Sequence, residues 1–267
     1  MRKLAVYASL ASLTAVLVAC PQSVTPPAGG GGISSISGTV SGWTSGAGII
    51  ELLASPYNDK SATNPALSRG VINADGTFSV ALPSAAVVTP YLSAIAGSFS
   101  SGSSCSGGFT SSAAGALGLV TDLLDVRQNG VYTTSIEPYT STDQSAGNTV
   151  TVVSTSKLWV YVNTPTTLSG QINCTTTSSG ITFSVRLNAN APLNQGWNVL
   201  GQSLTTTGTV NSGTATTTGT ITVASDGSIP WKTFNLAAAS LSLSAGHVDK
   251  GSALQIAAAD FARAANR

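Results

Sequence analysis

The sequence predicts an all-β protein: one or two antiparallel β-sandwich domains followed by a short C-terminal helix. Three observations carry this reading. Apolar and polar residues alternate with a period of two over several short stretches. Turn-forming pairs separate those stretches. Only the last 30 or so residues change character, to an Ala-rich segment.

The clearest strand is Ile181-Thr182-Phe183-Ser184-Val185-Arg186-Leu187, which sets Ile, Phe, Val and Leu against Thr, Ser and Arg. Such alternation marks a strand with one buried face. Thr77 to Leu82 has the same period and is closed by Pro83, and Thr149–Val153 and Gly219–Val223 alternate similarly. In Lys157–Val162, Leu158, Val160 and Val162 oppose Trp159 and Tyr161, which predicts cover on both faces. Asp75-Gly76, Asn129-Gly130 and Asp226-Gly227 tolerate the positive φ that tight hairpins require. Residues 205–220, largely Thr, Gly and Ser, fit either a solvated hairpin or a loop. In Ser252–Arg267, Leu254, Ala257, Ala258, Phe261 and Ala265 lie near helical spacing and predict the one short helix. No fixed-period repeat is present, which argues against a solenoid or propeller.

Composition narrows the function. Charged residues are 8% of the chain, against about a quarter in an average soluble domain. The net charge of +1 excludes a basic nucleic-acid-binding surface and an acidic tail protein. Hydrophobic residues make up 42%, enough to bury a core.

The N-terminus is a targeting segment. Arg2 and Lys3 precede an apolar stretch, Leu4–Ala19, which falls short of the about 20 residues of a spanning helix. It ends Leu17-Val18-Ala19-Cys20. This resembles the lipobox of bacterial lipoproteins. The resemblance covers the first 20 residues and implies that Cys20 becomes a lipidated N-terminus, with 1–19 as signal peptide. It further implies attachment to a membrane through that lipid, in the bacterial cell envelope. Pro21 follows the cysteine where Asp is associated with inner-membrane retention, so the outer membrane or cell surface is favoured. Residues 20–32, with Pro26-Pro27 and four glycines, read as a tether.

Beyond the tether two blocks are expected, a module at 33–99 and a second β-rich domain at 100–235, with 236–267 as C-terminal segment. Ser37-Gly38-Thr39-Val40 and Ala74-Asp75-Gly76-Thr77-Phe78 resemble the opening strand and hairpin of carboxypeptidase-regulatory-like, or transthyretin-like, sandwich modules. That resemblance implies a spacer or adhesive role and no catalysis.

Few residues offer chemistry. With Cys20 lipidated, Cys105 and Cys174 remain, and an exported chain meets an oxidising compartment, so a disulfide is expected. The alternatives, a reactive thiol or a metal pair, need a partner, and the only His is His247. One His and scattered acids suggest no metal site, and nothing implies a cofactor. No Gly-x-Ser-x-Gly elbow or phosphate loop is present. Asp122 and Asp125 read as the polar side of a short element. Two-carboxylate hydrolysis would draw first on Glu51, Asp122, Asp125 and Glu137. Trp159 and Tyr161 share one strand face and are the candidates for stacking on sugar rings, against the alternative that they are core. Trp197 reads as a cap on the end of the sandwich, after a turn at Gly196. The expected function is therefore a non-enzymatic, lipid-anchored envelope protein with a structural or binding role. Its partners would be the membrane and envelope proteins or polysaccharide, without nucleic acid. A carbohydrate-binding module using exposed aromatics is the alternative, and an envelope hydrolase the third.

Overall fold

The computed structural model describes residues 33–54, 65–99, 105–178, 181–209, 212–225 and 228–234. Cys20, the tether, Asp226-Gly227, His247 and the expected C-terminal helix lie outside these residues. The described chain is all-β, with 15 strands joined into one mostly antiparallel sheet and one short α-helix, Ala85–Val88. No helix among the described residues is long and apolar enough to cross a membrane.

The strands are β1 (Ser35–Thr39), β2 (Gly48–Leu53), β3 (Ala66–Ile72), β4 (Thr77–Ala81), β5 (Ser93–Ala94), β6 (Cys105–Ser111), β7 (Leu117–Thr121) and β8 (Leu124–Gln128). They continue as β9 (Val131–Asp143), β10 (Thr149–Val162), β11 (Thr166–Ser178), β12 (Ile181–Leu193), β13 (Gly196–Thr209), β14 (Thr214–Val223) and β15 (Trp231–Phe234). Asn129 and Gly130 both adopt positive φ, 52° and 80°, and form the two-residue turn between β8 and β9. Asp75 accepts hydrogen bonds from the backbone N–H and hydroxyl of Thr77, which fixes the hairpin into β4.

The long strand β9 hands the chain from one curved region of the sheet to the other. Its first part pairs with β8, Ser135–Pro138 pairs with β15, and Tyr139–Asp143 pairs with β10. The first region runs β1-β4-β3-β2-β8-β9-β15. It closes on itself where Val40 bridges Trp231 and Ser41 N–H donates to the Trp231 carbonyl. The expected boundary at residue 100 is therefore not a boundary of the sheet. Strands β8, β9 and β15, from beyond it, complete the curve begun by β1–β4.

The second region runs β7-β10-β13-β14-β12-β11-β6 and curls around its own core. Leu158, Val160, Val162, Leu168, Ile172, Ala191, Leu193, Leu200 and Ile221 fill one end. Val150, Val152, Phe183, Val185 and Ala215 fill the other. Leu204 packs on Leu187 between them, and polar side chains join the interior. Thr206 and Thr217, both buried, share a hydrogen bond of 2.9 Å, and Ser156 donates to Gln202. Of the stretch 205–220, residues 205–209 belong to β13 and 214–220 to β14, and the two strands pair antiparallel.

The two curved regions meet at β10. Its even-numbered residues face the core of the second region, while Trp159 and Tyr161 join the core of the first. That first core holds all four tryptophans, Trp43, Trp159, Trp197 and Trp231. Trp159 stacks on Trp231 with centroids 5.4 Å apart, and Phe78 meets Trp231 edge-on at 4.8 Å. The packing is close enough that a Cβ on Gly38 would fall 2.4 Å from Trp231, so only glycine fits there. Trp197 is buried too, with its indole N–H donating to the Pro83 carbonyl at 2.9 Å. It braces the segment before the helix.

One strand is inserted out of chain order. β12 and β13 are joined by Asn194 and Gln195 alone, yet β14 lies between them, parallel to β12 and antiparallel to β13. The short link must open across about 10 Å, two inter-strand spacings. Asn198 holds it open. Its Oδ1 accepts from Asn194 N–H at 2.9 Å, and its Nδ2 donates to the carbonyls of Asn194 and Gly196 at 2.8 and 3.0 Å. We predict that Asn198→Ala, which removes the partner of the buried Gly196 carbonyl and of the part-buried Asn194 groups, lowers stability by about 2 kcal/mol in urea unfolding. A loss below about 0.5 kcal/mol would show the link to be held by other means.

Candidate functional site

The structure separates the expected site residues. Trp159 and Tyr161 are 4% and 6% exposed. Sheet alternation places them together on one face, but the first curved region covers that face. The expectation of an exposed aromatic strip is corrected: these rings are core. Burial also pushes the Tyr161 phenol up from its ordinary value.

The four carboxylates considered for hydrolysis are buried as well: Glu51, Asp122, Asp125 and Glu137 are each 8% exposed or less. Asp122 and Asp125, read from the sequence as the polar side of a short element, are thus turned to a buried one. Glu51 lies directly opposite Arg69 on β3 and opposite Asp125 on β8, so these side chains share the sheet face turned away from the tryptophan core. Glu51 Oε1 accepts from Arg69 Nε at 2.8 Å and Oε2 from Arg127 Nε at 2.6 Å. Asp125 Oδ1 accepts from the Ser135 hydroxyl at 2.7 Å. Two guanidinium groups thus engage both carboxylate oxygens of Glu51. The two arginines differ in burial: the Arg69 side chain is 69% exposed, that of Arg127 only 16%.

Cys105 and Cys174 are directly opposite in the β6–β11 register and form a disulfide with S–S 2.10 Å. The bridge rivets the edge strand β6 to the sheet and closes a loop with a sequence separation of 69. Among the described residues no group of three or more His, Cys, Asp or Glu comes together to hold a metal.

Beside the disulfide lies a depression of about 610 Å³ on the outer face of β6, β11, β12 and β14. Sheet register builds it row by row. Ser106, Asn173, Arg186 and Thr218 are successive cross-strand partners, and Thr175, Ser184 and Thr216 form the adjoining row. Strand alternation turns all of them outward while Val185 and Phe183 point into the core. The surface they make is hydroxyl and amide, without an acid among the lining residues. Arg186 is fixed above it. Its Nε and Nη2 donate to Gln171 Oε1 at 3.0 and 2.7 Å, and Gln171 Nε2 donates to Asn173 Oδ1 at 2.8 Å. Chemically the groove can donate and accept hydrogen bonds and attract an anion. It holds no base, nucleophile or metal ligand set.

The strand pattern of Ile181–Leu187 already turned Arg186 away from the core, but nothing in that pattern marked it as a site. A usable signal was present: Arg186 is the sole charged residue between Lys157 and Asp226. Comparison of the chain with protein-family models, curated proteins and solved structures gave no match.

Two predictions follow from the ion pairs and the bridge. Arg127→Met should destabilise the protein by about 3 kcal/mol, because it leaves Glu51 buried beside a single, exposed partner. Arg69→Met should cost less than about 1 kcal/mol. Equal losses in denaturant unfolding would contradict this ranking. Replacing Cys105 and Cys174 together by serine should lower stability by about 4 kcal/mol, the loop-closure value for this separation. An unchanged urea midpoint would show the bridge to be dispensable.

Proposed function

We propose that this chain is a non-enzymatic, lipid-anchored protein of the bacterial cell envelope with a structural or binding role. Cys20 carries the lipid, residues 20–32 give reach, and the β-sheet body stands off the bilayer at the outer membrane or cell surface. One observation carries the binding part of this reading. The acids that sequence offered for catalysis are buried, with Glu51 held by two arginines, whereas the groove around Arg186 opens to solvent and is lined by groups suited only to binding. Envelope polymers or proteins are the partners such a surface meets. A carbohydrate module working through Trp159 and Tyr161 is not retained, because neither ring reaches solvent.

The anchor follows from the Leu17-Val18-Ala19-Cys20 ending of the apolar segment. Two or three acyl chains, at about 0.8 kcal/mol per buried methylene, hold a protein stably on a bilayer. Cys20→Ser should therefore move the protein from the detergent phase to the aqueous phase and abolish the lipid mass on the N-terminal peptide. Unchanged partitioning with no lipid mass in the parent protein would refute the anchor.

A further inference from the structure

We propose that the groove on the outer face of β6, β11, β12 and β14 binds an acidic polysaccharide, with Arg186 taking its carboxylate or sulfate group. This rests on the binding role proposed above and names the ligand class.

Four observations converge. First, Arg186 is the one cation among the residues lining the depression, and no carboxylate lines it. The guanidinium attracts an anion without a competing acid in the groove. Second, the guanidinium is oriented before any ligand arrives, through the chain Arg186–Gln171–Asn173. Both donors engage one amide oxygen, and a guanidinium has five N–H groups, so others remain for a planar anion. A pre-oriented long side chain loses less entropy on binding.

Third, the surroundings suit sugar hydroxyls. Thr175, Ser184, Thr216 and Thr218 are all exposed and supply hydroxyls that donate and accept. The cross-strand row from Ser106 to Thr218 spans three inter-strand spacings, about 14 Å. It continues through Thr205 on β13, opposite Thr218. A chain of repeating units laid across the strands would meet a hydroxyl or amide at each strand. Fourth, the tract 158–225 is otherwise uncharged, so the ligand's anion has a single address. Among the lining residues there is no Trp or Tyr to serve as the aromatic anchor on which interfaces with folded proteins commonly rest. The disulfide at the margin keeps the edge strand β6, and with it one wall of the groove, in place.

Affinity electrophoresis of the purified full chain tests this, in gels containing sodium alginate, dextran sulfate or neutral dextran. The account expects retardation by at least one acidic polymer and none by neutral dextran. Alginate against dextran sulfate distinguishes a carboxylate ligand from a sulfate one. Arg186→Gln should weaken retention about tenfold or more, a loss of one charge-assisted contact. Lys157→Gln, the same change of charge outside the groove, should leave retention within about twofold, since remote exposed charges contribute little. Thr216→Val with Thr218→Val, which preserves shape and strand preference, should weaken it several-fold. Circular dichroism of each variant establishes that the sheet is intact. Equal retention of Arg186→Gln and parent protein would overturn the proposal. So would equal losses in Arg186→Gln and Lys157→Gln, equal retention by neutral dextran, or retention by none of the polymers. Failure here with Cys20 still acylated removes the ligand and keeps the anchor. Binding without acylation does the reverse.

Discussion

The stack of Trp159 on Trp231 is the contact on which the rest of the fold depends. Trp159 belongs to β10, the spine of the second curved region, and Trp231 belongs to β15, which closes the first. Each ring therefore reports that its own part of the sheet is formed. An aromatic pair adds about 1 kcal/mol beyond the area it buries, and truncating a large core aromatic costs about 3–5 kcal/mol. Set against a total stability of about 5–15 kcal/mol, that one junction is decisive. Gly38 and Phe78 pack against the same indole, so β1 and β4 also depend on it. Because β10 has core on both faces, disturbing Trp159 is felt on the far side of the strand, where Leu158 and Val160 face the other core.

This arrangement also disposes of the ionisable groups. Most of the described acids are buried, and in the face behind the first core two arginines hold Glu51 and the Ser135 hydroxyl holds Asp125. On the outer face of β6, β11, β12 and β14, by contrast, the groove lining offers Thr, Ser, Asn and one arginine. The interior of the second region tolerates Thr206 and Thr217 because they bond to each other, which lets a Thr-rich hairpin serve as a core strand pair.

Much of the fold was legible because strand physics is local. The period-two pattern of Ile181–Leu187 told which residues would be buried, and Phe183 and Val185 are. Asn129-Gly130 named its own turn through its backbone freedom. Cys105 and Cys174 were paired by compartment and by elimination. What local patterns could not give is which neighbour covers which face. Trp159 and Tyr161 stood correctly on one face of their strand, but Trp159 is covered by Trp231 of β15, far along the chain, and Tyr161 by Trp197. Asp125 was read as the polar side of a short element, and its burial against Ser135, a partner reached across a hairpin, was not legible locally. The insertion of β14 between β12 and β13 is a choice among registers that the Thr alternation of all three strands permits equally. Arg186 was read as the polar side of a strand, correctly, but a groove requires four strands in register and no single strand encodes it.

Native-state hydrogen exchange along a urea series tests the interdependence of the two curved regions most directly. It compares Ile50 and Val80, in β2 and β4, with Leu168 and Val185, in β11 and β12. If the Trp159–Trp231 junction couples them, these amides converge on one opening free energy and lose protection together. If Ile50 and Val80 exchange through a separate, lower-energy opening while Leu168 and Val185 stay protected, the two regions are independent folding units and the account is wrong.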